Sequence, residues 1–150
     1  MERLPYIDEH SIEVAATPER TWEALLSVLR GELGADLPGP VSSLMRLEPA
    51  NRRGGWPQGS GDPRPGDALP GFEVRKVRPA EHLGLGGRHR FSRYALVLEL
   101  EDEAGATRLR ALTYAEFPGI LGRGYRAIVI DSRAHRLIVR RLLRRVAERA

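Results

Sequence analysis

His10-Ser-Ile-Glu-Val-Ala-Ala-Thr-Pro-Glu-Arg-Thr-Trp-Glu-Ala-Leu-Leu-Ser-Val-Leu29 carries two hydrophobic periods in direct succession. In its first part His10, Ile12 and Val14 fall on one side and Ser11 and Glu13 on the other, the alternation of a half-buried strand over 6–16. Thr17 is then a helix N-cap and Pro18 suits the first helical position. Glu19 favours the positive helix end, and Arg20 stands where a capping box would place Glu or Gln. Trp22, Leu25, Leu26 and Leu29 follow at i, i+3, i+4 and i+7, an apolar stripe that must be buried. Gly31 and Gly34 end the helix.

Further along, 41–47 reads equally as a short helix or a strand. Residues 51–66, NRRGGWPQGSGDPRPG, are turn chemistry throughout and predict a long flexible loop with Trp56 in its middle. Four strands are expected next, at 72–78, 81–86, 91–101 and 107–117, in an antiparallel meander. Pro79-Ala80 and 101–105 supply turns, and Gly86-Gly87 breaks the middle pair. In the third of these strands Tyr94, Leu96, Leu98 and Leu100 oppose Arg93, Glu99 and Glu101. In the fourth, Leu109, Ala111, Thr113, Ala115 and Phe117 oppose Arg108, Arg110 and Glu116. The small residues at 111, 113 and 115 leave room where a solid core would place large aliphatics. The chain closes on an amphipathic stretch, 119–150, read as one long helix. Its seam is Leu121, Tyr125, Ile128, Ser132, His135, Val139, Leu142 and Val146, with Arg126, Arg133, Arg140 and Arg144 on the far side. The order strand, helix, sheet, long helix predicts an α+β helix-grip fold, a curved antiparallel sheet wrapped around the C-terminal helix and enclosing a pocket.

A chain of 150 residues is most simply one domain. Zero cysteines exclude disulfides, thiolate metal sites and cysteine nucleophiles. No apolar run reaches the length of a signal peptide core or a membrane span, so a soluble cytoplasmic protein is expected. Net charge is +4, and of the 24 basic residues only Lys76 is lysine. Arginine is therefore the default cation of this chain, which weakens it as a functional signal. Nine of the arginines lie in 119–150 against Asp131 and Glu148, so the basicity belongs to that element.

Ile12-Glu-Val-Ala-Ala-Thr-Pro-Glu-Arg-Thr-Trp, then Thr107-Arg-Leu-Arg-Ala on a late strand and the terminal helix, resemble the START-like (SRPBCC) superfamily of pocket proteins. That superfamily includes polyketide cyclases and the birch-pollen-allergen type. The resemblance implies binding of an apolar or aromatic small molecule and transfers no catalytic residue. The family has more strands after its first helix pair than the four legible here.

The residues expected to contact a ligand are His10, Tyr94, Ala111, Thr113, Ser132 and His135. Ser132 and His135 interrupt an apolar seam, as pocket contacts or as groups satisfied by nearby backbone. His89, Arg90, Arg93 and Tyr94 stand near a strand start, where arginines meet an anionic group or merely solvate an edge. The leading function is a pocket protein, non-catalytic or weakly catalytic. The alternatives are a polyketide cyclase or dehydratase, with His10, Tyr94 or His135 as acid or base and Arg93 as stabiliser, and an interaction protein docking through its arginine-rich helix on an anionic surface. Ser132 in mid-helix lacks the strained turn of a hydrolase nucleophile. The histidines at 10, 82, 89 and 135 have no metal-ligand spacing, and Gly84-Leu-Gly-Gly lacks the third glycine of a dinucleotide loop. No cofactor, metal or nucleic acid is therefore expected, and the chain is expected to be a monomer or homodimer.

Overall fold

The computed structural model describes residues 4–32, 62–69, 72–89, 92–116 and 134–150. Its elements are β1 (Tyr6–Val14), α1 (Pro18–Glu32), β2 (Ala68–Leu69), β3 (Phe72–Arg78), β4 (His82–His89), β5 (Ser92–Glu103), β6 (Ala106–Glu116) and α2 (Ala134–Arg149). The strands form one antiparallel sheet in the order β1-β6-β5-β4-β3-β2. Strands β2 to β6 are a meander. The leading strand β1 closes the sheet by pairing with the last, from Val14↔Thr107 to Tyr6↔Tyr114, with one irregularity between Tyr6 and Asp8.

Alternation along the strands divides the sheet into two faces. Val14, Leu83, Leu85, Leu96, Leu98, Leu100, Leu109 and Ala111 are buried on the inner face. Helix α1 packs over β5 and β6 with Trp22, Leu25, Leu26 and Leu29 all buried, as their spacing requires. Thr107 Oγ1 donates to the Ala16 carbonyl at 2.8 Å, tying the β1–α1 connection to β6. Helix α2 packs against α1, the edge strand β1 and its neighbour β6, and Arg149 donates to Ser27 Oγ of α1 at 2.8 Å.

This arrangement corrects the expected helix-grip. The terminal helix spans Ala134–Arg149, sixteen residues, about half the expected 119–150; the first part of that stretch lies outside the described residues. Nor does the sheet wrap α2. Helix α1 packs on β5 and β6, and α2 lies beside it, against β1 and β6. Within α2 the buried positions are Val139, Leu143 and Val146, with Leu142 only half-buried. The seam therefore runs one position off the expected Leu142, because a sequence LL on a helix flank gives two equally apolar choices. Arg140, Arg141 and Arg144 are exposed.

The strands also differ from expectation in detail. Gly86-Gly87 does not break β4, which continues to His89. A side chain at Gly86 would place its Cβ 2.5 Å from Arg75 Nε, so this glycine admits a neighbouring arginine rather than ending a strand. The β5–β6 turn is tighter than 101–105. Pairing continues to Glu103↔Ala106 because Ala104 and Gly105 both take positive φ, 54° and 92°, as a two-residue hairpin requires. The end of the expected loop 51–66 is tethered: Trp22 Nε1 donates to Asp62 Oδ1 at 2.7 Å, and Gly66 N donates to the Val74 carbonyl at 2.8 Å. The earlier part of the loop, with Trp56, and the segment 41–47 lie outside the described residues.

One core group is unsatisfied: Thr21 is fully buried and its Oγ1 has no hydrogen-bond partner among the described residues. Such a group costs about 1–3 kcal/mol. Thr21→Val, of the same shape, should therefore raise unfolding free energy by about 1 kcal/mol in urea titrations, whereas Trp22→Ala next to it should lower it by about 3–5 kcal/mol. A loss of stability in Thr21→Val would mean that the hydroxyl is satisfied.

Candidate functional site

The two ends of the inner face differ. Toward the Ala104-Gly105 turn the inner row is Val14, Leu100 and Leu109, part of the continuous apolar cluster under α1. That cluster ends at Ile12 on β1 and at Ala111 on β6. The inner-facing residues beyond it are His10 and Asp8 on β1, Thr113 and Ala115 on β6, and Tyr94 on β5. The pairing sets them side by side: His10↔Ala111, Asp8↔Thr113 and Tyr94↔Ala115. Tyr94 in turn meets Phe72 of β3 edge-on, ring centroids 5.1 Å apart, which puts an aromatic wall beside the small residues.

Four of the expected ligand contacts, His10, Tyr94, Ala111 and Thr113, thus share one end of one face. Ser132 lies outside the described residues. His135 lies in α2, but its side chain is outside them. Two residues were missed from the sequence. Phe72 stands in the sequence only as a strand start, and the signal for Asp8 is the alternation itself, since a carboxylate two positions before His10 on a strand shares its face. His10 Nε2 and Asp8 Oδ2 are 3.2 Å apart, and both side chains are largely buried, 14% and 16% exposed.

The outer face has a different chemistry. Arg110 Nε lies 2.6 Å from Glu9 Oε1, and its Nη1 lies 3.2 Å from Glu99 and 3.3 Å from Glu101. Arg108 meets Glu103 at 3.0 Å and Glu13 at 3.8 Å. The hydrogen bond from Arg110 holds the Glu9 carboxyl below its ordinary range and raises the guanidinium in return. These cross-strand pairs knit β1, β6 and β5 together, and each carboxylate already has its cation. Among the described residues no group of three His, Asp or Glu is placed to hold a metal ion, and no helix is long and apolar enough to cross a membrane.

Sequence comparison matches the chain to no family model and to no curated protein. Solved structures do resemble it over nearly its whole length. A protein from Thermus thermophilus aligns with a TM-score of 0.58 at 14% identity, covering 97% of this chain and 96% of its own. One from Nitrosospira multiformis gives 0.56 at 17% identity, covering 96% and 94%, and a conserved protein from Geobacillus kaustophilus gives 0.55 at 16%, covering 93% and 91%. At such identities the likeness shows a shared fold alone.

His82, on the outer face opposite Glu99, has its imidazole held below the ordinary value of 6.5, first by burial and then by the nearby Lys76. A histidine that protonates less readily when folded costs stability as pH falls through its unfolded value and none well above it. Unfolding free energy should therefore decline on acidification from about pH 7 to about pH 5, and His82→Gln should flatten that decline. An identical slope in the variant would assign the decline to another group.

Proposed function

We propose that this chain binds an apolar or aromatic small molecule against the end of the inner face formed by Ala111, Thr113, Ala115, Tyr94 and Phe72. One observation carries the reading: on β6 the inner row changes from Leu109 to the smaller Ala111, Thr113 and Ala115, the last two outside the core cluster. Small side chains beside an aromatic pair suit a ligand that supplies its own apolar volume, since ligand sites are mostly apolar with a few placed polar groups. The resemblance of Ile12–Trp22 and of the late strand to START-like pocket proteins points in the same direction.

A second reading, an enzyme acting on a polyketide-like substrate, is favoured by the Asp8–His10 pair, because a carboxylate orienting an imidazole is a common acid–base arrangement. Binding comes first because catalysis needs a second positioned group, and none is paired with His10 in the described residues beyond Asp8. Docking through the arginines of α2 is the weaker alternative. Arg149 is engaged with Ser27 of α1, and arginine is the cation this chain uses throughout.

The uncharged fluorophore N-phenylnaphthylamine should bind saturably at one site. Ala115→Leu, which fills the space, should weaken it by about tenfold or more, equivalent to about 1.4 kcal/mol. The outer-face change Leu112→Ala should leave binding unchanged, and circular dichroism should show both variants folded. Equal affinity in wild type and Ala115→Leu would remove the ligand from this end of the sheet.

A further inference from the structure

Helix α2 carries six arginines and a single acid, Glu148, and it presents Arg140, Arg141 and Arg144 to solvent. None of these three meets a carboxylate among the described residues, whereas Arg75, Arg78, Arg108 and Arg110 of the sheet each do. Arg140 and Arg144 stand one turn apart, and like charges at that spacing destabilise a helix. The outer face of the sheet has the opposite imbalance. Over β1, β6 and β5 five carboxylates, Glu9, Glu13, Glu99, Glu101 and Glu103, share the two guanidinia of Arg108 and Arg110, an excess of three negative charges.

The two surfaces match in spacing as well as in sign. Residues on one face of a strand repeat every ~6.8 Å, so Glu99, Glu101 and Glu103 form one row along β5. Glu9 and Glu13 lie on β1, two strands away, in a second row about 10 Å from the first. On the helix, Arg140 and Arg144 are about 6 Å apart along the axis, and Arg141 is turned about 100° from Arg140. A helix laid along β5 therefore sets Arg140 and Arg144 over one carboxylate row and Arg141 toward the other.

Within one molecule the surfaces cannot meet, because Val139, Leu143 and Val146 of α2 join the core on the inner side of the sheet. We infer that the arginine face of α2 docks on the acidic outer face of a second copy of this chain. This contact is separate from the ligand site. A bilayer is a poorer occupant, since the apolar residues of α2 that would insert are already buried. One face of a sixteen-residue helix buries less than a stable complex requires, so the association is weak. It is also heterologous: each pair leaves one surface of each kind open, and the average mass rises with concentration.

Sedimentation equilibrium of the whole chain tests this without any variant. In about 50 mM salt the wild type should associate, and about 500 mM salt, which shortens the screening length about threefold, should weaken association tenfold or more. Arg140→Glu/Arg144→Glu should be monomeric in low salt, and so should Glu13→Arg/Glu101→Arg, which alters the two most exposed carboxylates. Mixed in equal amounts, the two folded variants should associate with each other, since the reversed charges again complement. A wild type that stays monomeric at about 0.5 mM protein in low salt would overturn the inference. So would association indifferent to salt, association that survives in the arginine variant, or a mixture that remains monomeric. Binding to RNA or to phosphatidylglycerol vesicles by a wild type that does not self-associate would give the helix face to another partner and overturn it as well.

Discussion

The register of the β5–β6 hairpin, from Arg93↔Glu116 to Glu103↔Ala106, is the constraint on which the rest of the structure depends. It places Leu96, Leu98 and Leu100 with Leu109, Ala111 and Thr113 on one face, and Glu99 and Glu101 with Arg108 and Arg110 on the other. A slip by one residue would exchange the faces, burying the ion pairs and exposing the leucines. The turn defines the register by its geometry, with two successive residues at positive φ. The faces enforce it through burial on one side and the pairs around Arg110 on the other.

Everything else adds to this hairpin at its edges. β1 reads the same alternation on the β6 side, so that Val14 and Ile12 extend the apolar rows while Glu9 and Glu13 extend the charged ones. Helix α1 follows β1 within a few residues and is therefore delivered to the turn end of the inner face, where Thr107 anchors the connection. The same alternation that continues the core from Val14 to Ile12 places His10 and then Asp8 beyond it.

Much of this was legible in the sequence. The strand–helix succession, the stripe of α1 and the faces of β5 and β6 follow from period alone, whereas the meeting of His10, Ala111, Thr113 and Tyr94 at one end depends on β1 pairing with β6. Three features were not legible, each for a physical reason. Gly86-Gly87 looked like a break because glycine serves both turns and close approaches, and only the position of Arg75 on the neighbouring strand distinguishes them. The terminal helix was over-read because a four-and-three seam registers amphipathicity without locating the helix ends. Its placement beside α1 depends on competition between two helices for one sheet face, a long-range matter that no local pattern records. Asp8 was visible in principle. Alternation carried back from His10 places it on the same face, just before the irregularity between Tyr6 and Asp8.

Because neighbouring residues of β6 point to opposite faces, that strand can report directly which face receives a ligand. Methyl and amide spectra of isotopically labelled protein, recorded during titration with beta-naphthol, resolve Ala111, Thr113 and Ala115 from Leu112. The account predicts shifts concentrated at the three inner positions and at His10, with the Leu112 methyl groups unmoved. Shifts centred on Leu112, Tyr114 and Val97 instead would place the ligand on the outer face and contradict it.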